Sequence, residues 1–286
     1  MKQLTYHHVD VFSDKPFSGN GLTVFLETEN IFSELMLTIT QEMRQFESIF
    51  LQNFDGKQVT ARVFTSEEEL DFAGHPVLGA AAVLHELYAR DSYVATWEFA
   101  LNTKTVNVTT ELNGSAYECW MNQGVAEFGV ELPQAASMQL LKAMNLSEGD
   151  LYPGYLPSVV STGLPYVLIP TQQNSDLAKI SIPDLEIFLA GFGAKFIGIL
   201  DIPSLSIRTW DNAGTVEDIA TGSLAGPCGA FLVKNKLQAA GDTIILKQGH
   251  NLGRPSRLLV RIDETNCVHV GGHVCKIGSG SLNLDV

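Results

Sequence analysis

The chain has 286 residues, of which 45% are hydrophobic and 17% charged, a composition typical of a folded protein with room for two domains. The formal net charge of −14 argues against binding to nucleic-acid backbone or to an anionic membrane, but it leaves open a local positive site for a small anion. The N-terminus reads as a strand rather than a signal peptide, and no apolar run approaches the ~18 residues that span a bilayer. We therefore expect a cytoplasmic protein.

Short strands dominate the predicted secondary structure of the first half. Alternating apolar residues predict strands at 5–12, 22–26, 48–52, 59–64, 93–99 and 105–110. Helical spacing predicts one helix of about 13 residues with Ser33 as its N-cap, and a second helix over 77–87.

The second half begins after Asn113-Gly114, which fits a hairpin turn or a crossover. Helices are predicted over 137–144, 182–191 and 224–233, and strands at 166–169, 197–200, 206–210, 243–247, 258–262, 268–270 and 274–277. Gly271-Gly272 predicts a tight turn between the last two strands, and the segment 278–281 is typical of a flexible tail.

A segment of the first half recurs in the second half with different polar residues. The first copy runs from Arg62-Val63-Phe64 to Gly74-His75-Pro76, and the second from Arg208-Thr209-Trp210 to Gly222-Ser223. Each copy predicts a strand, a polar turn, a glycine beside a polar residue, and an apolar helix. The repeat predicts two similar domains, over 1–115 and 116–273, whose glycine turns face one cleft. The last strand, about 274–286, can return to the first domain.

Both repeated helices are apolar on nearly all sides, so each must be buried by the sheet of its own domain. The first turn of such a helix offers unpaired N–H groups and a partial positive charge. Gly74 and Gly222 let a ligand approach the backbone there, and two such helix starts can hold a carboxylate or a developing enolate. Either turn alone is an ordinary helix start, but their equivalent positions in a repeat favour a functional site.

Six ordered blocks carry a family resemblance that spans essentially the whole chain. They are Asp10-Val11-Phe12, Pro16-Phe17-Ser18-Gly19-Asn20, Glu47-Ser48-Ile49-Phe50-Leu51, Phe72-Ala73-Gly74-His75-Pro76, Glu217-Asp218-Ile219-Ala220-Thr221-Gly222-Ser223, and Gln248-Gly249 with Gly253-Arg254-Pro255-Ser256. Together they resemble the PhzF-like family of phenazine biosynthesis. The resemblance implies an α+β fold of the diaminopimelate-epimerase type, in which each of two pseudo-symmetric domains wraps a mostly antiparallel sheet or barrel around a central buried helix.

The resemblance also implies an activity, that of a cofactor-independent isomerase acting on a small anionic metabolite, in a homodimer. It assigns Glu47 as the base that moves a proton between two carbons, and His75 and Asp218 as groups that position the substrate and assist. The remaining substrate contacts that it implies are Asn20, Gly74, Gly222 and Ser223. The blocks identify the family and not the substrate, which can differ because Ile219 and Leu224 replace residues frequent in relatives.

The residue types agree with this chemistry. A base that removes a carbon-bound proton needs an apolar, closed site, and Glu47 lies between Phe46 and Ile49-Phe50. Without the resemblance, an exposed carboxylate at a strand edge is the simpler interpretation. The corresponding part of the second half, Lys195-Phe196-Ile197, has no carboxylate, which favours one base over a symmetric pair.

Two alternatives remain open from the sequence. Epimerases of this fold class use a cysteine at each helix start, but His75 and Ser223 stand there, and Cys228 lies about one turn further on, which disfavours a thiol-based racemase. The other alternative is a catalytically silent binding or regulatory protein, against which the intact Glu47, His75 and Asp218 weigh. No histidine or cysteine spacing indicates a metal site, so no metal is expected. The sequence has no dinucleotide-binding or P-loop pattern, and the resemblance implies that no cofactor is needed. The four cysteines are expected to be reduced, and Glu67-Glu68-Glu69 to form a solvated loop.

Overall fold

The computed structural model describes residues 2–284, and the chain divides into two compact units. Unit 1 comprises Met1–Asn122 and Gly271–Val286, and unit 2 comprises Gln123–Val270. Each unit contains more strand than helix. The α+β class predicted from the sequence is confirmed. No helix of residues 2–284 is long and apolar enough to cross a membrane.

Unit 1 is built from one sheet and two helices. Its elements are β1 (Lys2–Val11), β2 (Asn20–Phe25), α1 (Ser33–Met43), β3 (Glu47–Gln52), β4 (Gln58–Thr65), β5 (Glu69–Leu70), α2 (Gly74–Tyr88), β6 (Val94–Ala100), β7 (Thr105–Asn113) and β8 (Ala116–Val125). The sheet runs in the order β1-β2-β3-β4-β6-β7-β8 and ends on the final strand of the chain, β16 (Cys267–Leu284), which also pairs with β1. The sheet therefore closes on itself.

The helix α2 forms the centre of unit 1. It packs against β1, β2, β3, β6 and β7, and all of its residues from His75 to His85 are buried, as the apolar pattern of the sequence predicts. The other face of the sheet is covered by α1, where Met36 and Ile39 join Phe25 and Phe50 in a second buried cluster. Strand residues therefore alternate between two apolar layers.

Unit 2 repeats this plan. Its elements are β9 (Glu127–Glu131), α3 (Gln134–Ala143), β10 (Ser158–Ser161), β11 (Pro165–Thr171), α4 (Leu185–Ala190), β12 (Phe196–Asp201), β13 (Ser206–Arg208), α5 (Gly222–Lys234), β14 (Ile244–Gln248) and β15 (Ser256–Ile262), with 3₁₀ turns at Glu148–Asp150, Ser175–Leu177 and His250–Leu252. The strands follow the order β15-β14-β13-β12-β11-β10-β9. The buried helix α5 packs against β10, β11, β13 and β15, while α3 and α4 contribute to a separate apolar cluster.

The C-terminal strand corrects two sequence predictions. β16 continues through Gly271-Gly272 without a tight turn. Glycine is needed at position 271 for a different reason: a Cβ there would lie only 2.4 Å from the carbonyl oxygen of Cys119 on β8. The glycine therefore permits a close approach of backbones. The segment 278–281 is part of β16 and not a flexible tail, since it pairs with β1 in the register Tyr6↔Gly280. Residues 285 and 286 of the expected last strand lie outside the described residues.

Two further local predictions are wrong. Ser33 is not the N-cap of α1; Phe32 occupies that position without a side-chain cap, and the Ser33 hydroxyl accepts a hydrogen bond of 2.8 Å from Arg62 Nη2. The segment 67–69 is expected to form a solvated loop, but Glu69 lies in β5 and its carboxylate accepts a hydrogen bond from Arg62. In addition, the strands β8, β9 and β10 were not predicted, because β9 is exposed and the others lack a clean alternation.

We predict that Gly79→Ala and Gly229→Ala each lower the free energy of unfolding, by about 1–3 kcal/mol. Alanine normally stabilises a helix interior relative to glycine by about 1 kcal/mol. At Gly79 a Cβ would lie 2.4 Å from Leu22 Cδ2, and at Gly229 it would lie 2.4 Å from Val260 Cγ1. Overpacking therefore makes the substitution by alanine destabilising at both positions. Urea unfolding measures the change.

The matched control is Gly149→Ala, where the added Cβ meets only Ser147 Oγ, at 3.9 Å. Its effect should stay within about 0.5 kcal/mol. A stabilising effect of Gly79→Ala would contradict the close packing of α2 against β2.

Candidate functional site

Glu47 and His75 form the first half of the candidate site, in unit 1. Glu47 is the first residue of β3 and His75 the second residue of α2. Glu47 Oε2 lies 3.2 Å from His75 Nε2, and the side chains are 18% and 7% exposed, respectively. Two titratable groups are thus brought from distant parts of the sequence into contact at a mostly buried position.

Burial sets the charge state of this histidine. Desolvation lowers the pKa of His75 to about 3, because the protonated ring would lose its hydration without compensation. The imidazole is therefore neutral near pH 7, and its contact with Glu47 is not an ion pair. Nε2 has no well-aligned hydrogen-bond partner in the described part of the chain. Catalytic hydrogen bonds often become well aligned only when the substrate is bound.

Two other predicted substrate contacts lie close by in the same unit. Gly74 is the first residue of α2, and a Cβ there would meet only Met121 Cε, at 3.5 Å. Asn20 is buried at the start of β2, two residues before Leu22, which pairs with Glu47. The N-cap residue Ala73 provides no side-chain cap, so the first N–H groups of α2 have no such partner within residues 2–284.

Asp218, Gly222 and Ser223 lie together in unit 2, around the start of α5. The N-cap residue is Thr221, and Ser223 is the second residue of the helix, as His75 is of α2. The Asp218 backbone N–H donates to the Thr209 carbonyl at 3.0 Å, which ties the turn to the segment after β13. Its carboxylate accepts hydrogen bonds from the Thr221 hydroxyl and, at 3.4 Å, from the Ala220 N–H.

A buried tyrosine contacts the predicted serine. Tyr166 on β11 is 3% exposed, and its Oη lies 2.8 Å from Ser223 Oγ. Burial is the main cause that raises the pKa of this phenol, so it keeps its proton. A protonated phenol can donate to Ser223 Oγ and leave the serine proton for a ligand. No sequence pattern indicates a functional role for Tyr166, since it lies in an ordinary apolar strand.

Each glycine turn is anchored by a bidentate ion pair between arginine and glutamate. Arg62 donates through Nε, at 2.8 Å, and through Nη2 to the two carboxylate oxygens of Glu69. Arg208 does the same to Glu217, at 2.7 and 2.8 Å. Glu69 precedes Gly74 by five residues and Glu217 precedes Gly222 by five, so the pairs are equivalent. The repeated strand contained both arginines, but their partners were not predicted.

The strand registers show which site residues of one unit have no equivalent residue in the other unit. Arg62 pairs with Phe50, three residues after Glu47, and Arg208 pairs with Ile199, three residues after Phe196. The position of Glu47 is therefore occupied by an aromatic residue in unit 2. When the two repeated segments are aligned at Gly74 and Gly222, His75 corresponds to Ser223 and Leu70 corresponds to Asp218. Each unit holds a different part of the predicted chemistry.

The cysteines are poorly placed for chemistry. All four are free thiols, and Cys119 and Cys228 are fully buried. Burial raises the pKa of both thiols, which disfavours the reactive thiolate. Among residues 2–284 no three or more histidine, cysteine, aspartate or glutamate side chains converge as metal ligands.

Comparison with known proteins places these features in a family. Residues 9–280 match the model of the phenazine biosynthesis-like (PhzC-PhzF) family. The chain is 31% identical to an uncharacterized isomerase, YddE of Escherichia coli O157:H7, over 92% of this chain and 91% of the relative. It is 30% identical to trans-2,3-dihydro-3-hydroxyanthranilate isomerase of Pseudomonas chlororaphis, over 97% of this chain and 100% of the relative.

A solved structure described as a predicted epimerase from Pseudomonas aeruginosa superposes with a TM-score of 0.91 at 43% identity, covering 98% of this chain and 99% of that one. The resemblance seen in the ordered sequence blocks is thereby confirmed. The chain belongs to the PhzC-PhzF, or phenazine biosynthesis-like, family and is an isomerase of this family.

Proposed function

We propose that the isomerase moves a carbon-bound proton within a small carboxylate-bearing metabolite, with Glu47 as the single acid/base and without a cofactor. The observation that carries the proposal is the 3.2 Å contact between Glu47 and His75 at the start of α2. Because the imidazole is neutral, it does not hold the Glu47 carboxylate in an ion pair. The surrounding burial suits a carboxyl group that acts as an acid/base on carbon.

The proposed reaction has two steps at one carboxyl group. Glu47 removes a proton from one carbon, and the electron pair of the broken C–H bond spreads into an adjacent unsaturated system of the substrate. The protonated Glu47, whose proton can exchange with solvent, then donates a proton to a second carbon of that system, which restores the Glu47 carboxylate and the original charge of the substrate. The substrate must therefore have unsaturation that connects the two carbons.

The remaining groups are proposed to hold the substrate. The N–H groups at the starts of α2 and α5 suit a substrate carboxylate or the negative charge that develops after proton removal. His75, as a neutral ring, and Asp218, as a hydrogen-bond acceptor, would orient polar substituents. Asn20 and Ser223 are proposed as further contacts to the substrate.

A relative indicates the first compound to test. Because a protein 30% identical over nearly the full chain is a trans-2,3-dihydro-3-hydroxyanthranilate isomerase, we propose this compound and related unsaturated carboxylates as the substrate class.

Glu47→Gln should keep substrate binding and lose proton transfer. The amide preserves shape but cannot act as a base, so we expect deuterium incorporation from D₂O into the substrate to fall by on the order of 10³-fold. Mass spectrometry follows incorporation, and calorimetry follows binding of trans-2,3-dihydro-3-hydroxyanthranilate.

Glu42→Gln, an isosteric change on an exposed face of α1, is the control and should exchange like wild type. Deuterium incorporation at the wild-type rate in Glu47→Gln would show that Glu47 is not the base. Binding across a panel of carboxylates without exchange in wild type would instead favour a catalytically silent binding protein.

The neutral state of His75 predicts a pH dependence of stability. An unfolded histidine titrates near pH 6.5, but folded His75 titrates near pH 3. Between these values the unfolded state binds more protons, so the free energy of unfolding falls as the pH falls from 6.5 towards 3, by at most about 1.4 kcal/mol per pH unit. His75→Gln should remove this part of the dependence.

Urea unfolding at pH 7.5 and pH 5 tests this difference. The exposed His250→Gln serves as the control and should keep the wild-type pH dependence. An equal loss of stability at pH 5 in wild type and His75→Gln would show that His75 is protonated in the folded state.

A glutamate mechanism predicts that the thiols are dispensable. Cys228→Ala should retain deuterium incorporation within about twofold of wild type, while the loss of a buried side chain costs on the order of 1 kcal/mol of stability. Treatment of wild type with iodoacetamide should likewise leave the exchange rate unchanged. Loss of exchange in a folded Cys228→Ala protein would revive a thiol-based mechanism.

A further inference from the structure

Gln248, the last residue of β14, reaches into the turn that carries Asp218. Its side chain is 2% exposed. Oε1 accepts a hydrogen bond from the Thr221 backbone N–H at 2.9 Å, and Nε2 donates to the Asp218 carbonyl and to Thr221 Oγ1, both at 2.9 Å. One amide group thus joins both ends of the turn Asp218–Thr221.

The direction of every hydrogen bond in this group is fixed. A backbone N–H can only donate and a carbonyl can only accept, so Thr221 and Asp218 together determine which end of the Gln248 amide is oxygen. Because Nε2 donates to Thr221 Oγ1, this hydroxyl is used there as an acceptor. Its own proton is then directed to Asp218 Oδ2, its other partner.

This chain holds Asp218 as a hydrogen-bond acceptor. Oδ2 accepts the hydrogen bond that the Thr221 hydroxyl donates. The chain also fixes the carboxylate geometrically, since Thr221 is itself held at its N–H and its hydroxyl by Gln248. Oδ1 accepts a hydrogen bond from the Ala220 N–H at 3.4 Å.

The segment after Gln248 supports the same turn. Gly249 has a φ of +76°, and a Cβ there would lie 2.7 Å from the Ile219 carbonyl and 2.4 Å from the Arg254 carbonyl. The Ser256 hydroxyl lies 3.5 Å from the Ile219 carbonyl and donates to that of Arg254 at 3.1 Å. The block Gln248-Gly249 with Arg254-Pro255-Ser256 therefore packs directly beneath the Asp218 turn.

We propose that Gln248 is a positioning residue for the reaction: acting through Thr221, it keeps the Asp218 carboxylate oriented as an acceptor towards the substrate. The inference rests on the proposed role of Asp218. The equivalent turn of unit 1 cannot form this chain of hydrogen bonds, because Leu70 and Ala73 stand where unit 2 has Asp218 and Thr221. The Gln248 amide therefore occurs in the same unit as the Asp218 carboxylate that it is proposed to orient.

Three variants test the proposal. Gln248→Met keeps the length of the side chain without its polar atoms, and Thr221→Val removes only the hydroxyl, whereas Thr221→Ser restores it. With trans-2,3-dihydro-3-hydroxyanthranilate as the probe, Gln248→Met and Thr221→Val should lower kcat by about 10- to 100-fold and change KM less than about threefold. Thr221→Ser should recover most of the wild-type kcat.

A second measurement does not depend on activity. Hydrogen–deuterium exchange of the Thr221 amide should be at least about tenfold faster in Gln248→Met, because its acceptor is lost. Gln172→Met, which removes an exposed amide bonded to the Gly149 carbonyl at 3.1 Å, is the matched control and should leave kcat and Thr221 exchange unchanged.

The two measurements separate the possible failures. If wild type does not convert the probe but Thr221 exchange rises in Gln248→Met, the proposed substrate is wrong and the hydrogen-bond chain stands. Wild-type kcat in Thr221→Val, or unchanged Thr221 exchange in Gln248→Met, would overturn the positioning role. If Gln248→Met does not fold, the comparison of Thr221→Val with Thr221→Ser decides.

Discussion

The bidentate pair between arginine and glutamate is the interaction on which both helix starts depend. In each unit the arginine projects from a central strand, and its glutamate lies five residues before the first helical glycine. Both side chains of the second pair are 12% exposed, so removal of one partner would leave a charge with little water around it. Such pairs add little net stability compared with apolar packing, but their planar geometry fixes orientation.

The same arginines connect the turn to the outer layer of each unit. Arg62 also donates to Ser33 at the start of α1, and Arg208 also donates to the carbonyls of Ser175 and Ala178. Each guanidinium lies over an aromatic ring two residues further on, Phe64 or Trp210, at 5.2 and 4.7 Å from the ring centre. The strand, the outer segment and the glycine turn are thereby held by one side chain.

Much of this arrangement could be predicted from the sequence because it is local. The apolar helices, the glycines at their starts and the repeated strand are all visible as short patterns. What could not be predicted depends on contacts between strands. Gly271 looks like a turn residue, but a Cβ there would lie 2.4 Å from the backbone of β8. Glu69 looks solvated, but the antiparallel pairing of β5 with β4 brings it to Arg62. Gln248 lies within a recognisable block, but its role depends on a turn 27 residues or more earlier in the chain.

The scaffold is repeated, but its chemistry is divided between the units. Unit 1 combines Glu47 with an imidazole that burial keeps neutral, so the contact between them is not an ion pair. Unit 2 lacks a counterpart of Glu47 and instead fixes a carboxylate through a one-directional chain from Gln248 to Asp218. The role proposed for Glu47 requires a carboxylate that gains and loses a proton, whereas the role proposed for Asp218 requires a carboxylate that keeps one orientation. These requirements conflict at a single carboxylate, and the proposal places them on two different residues.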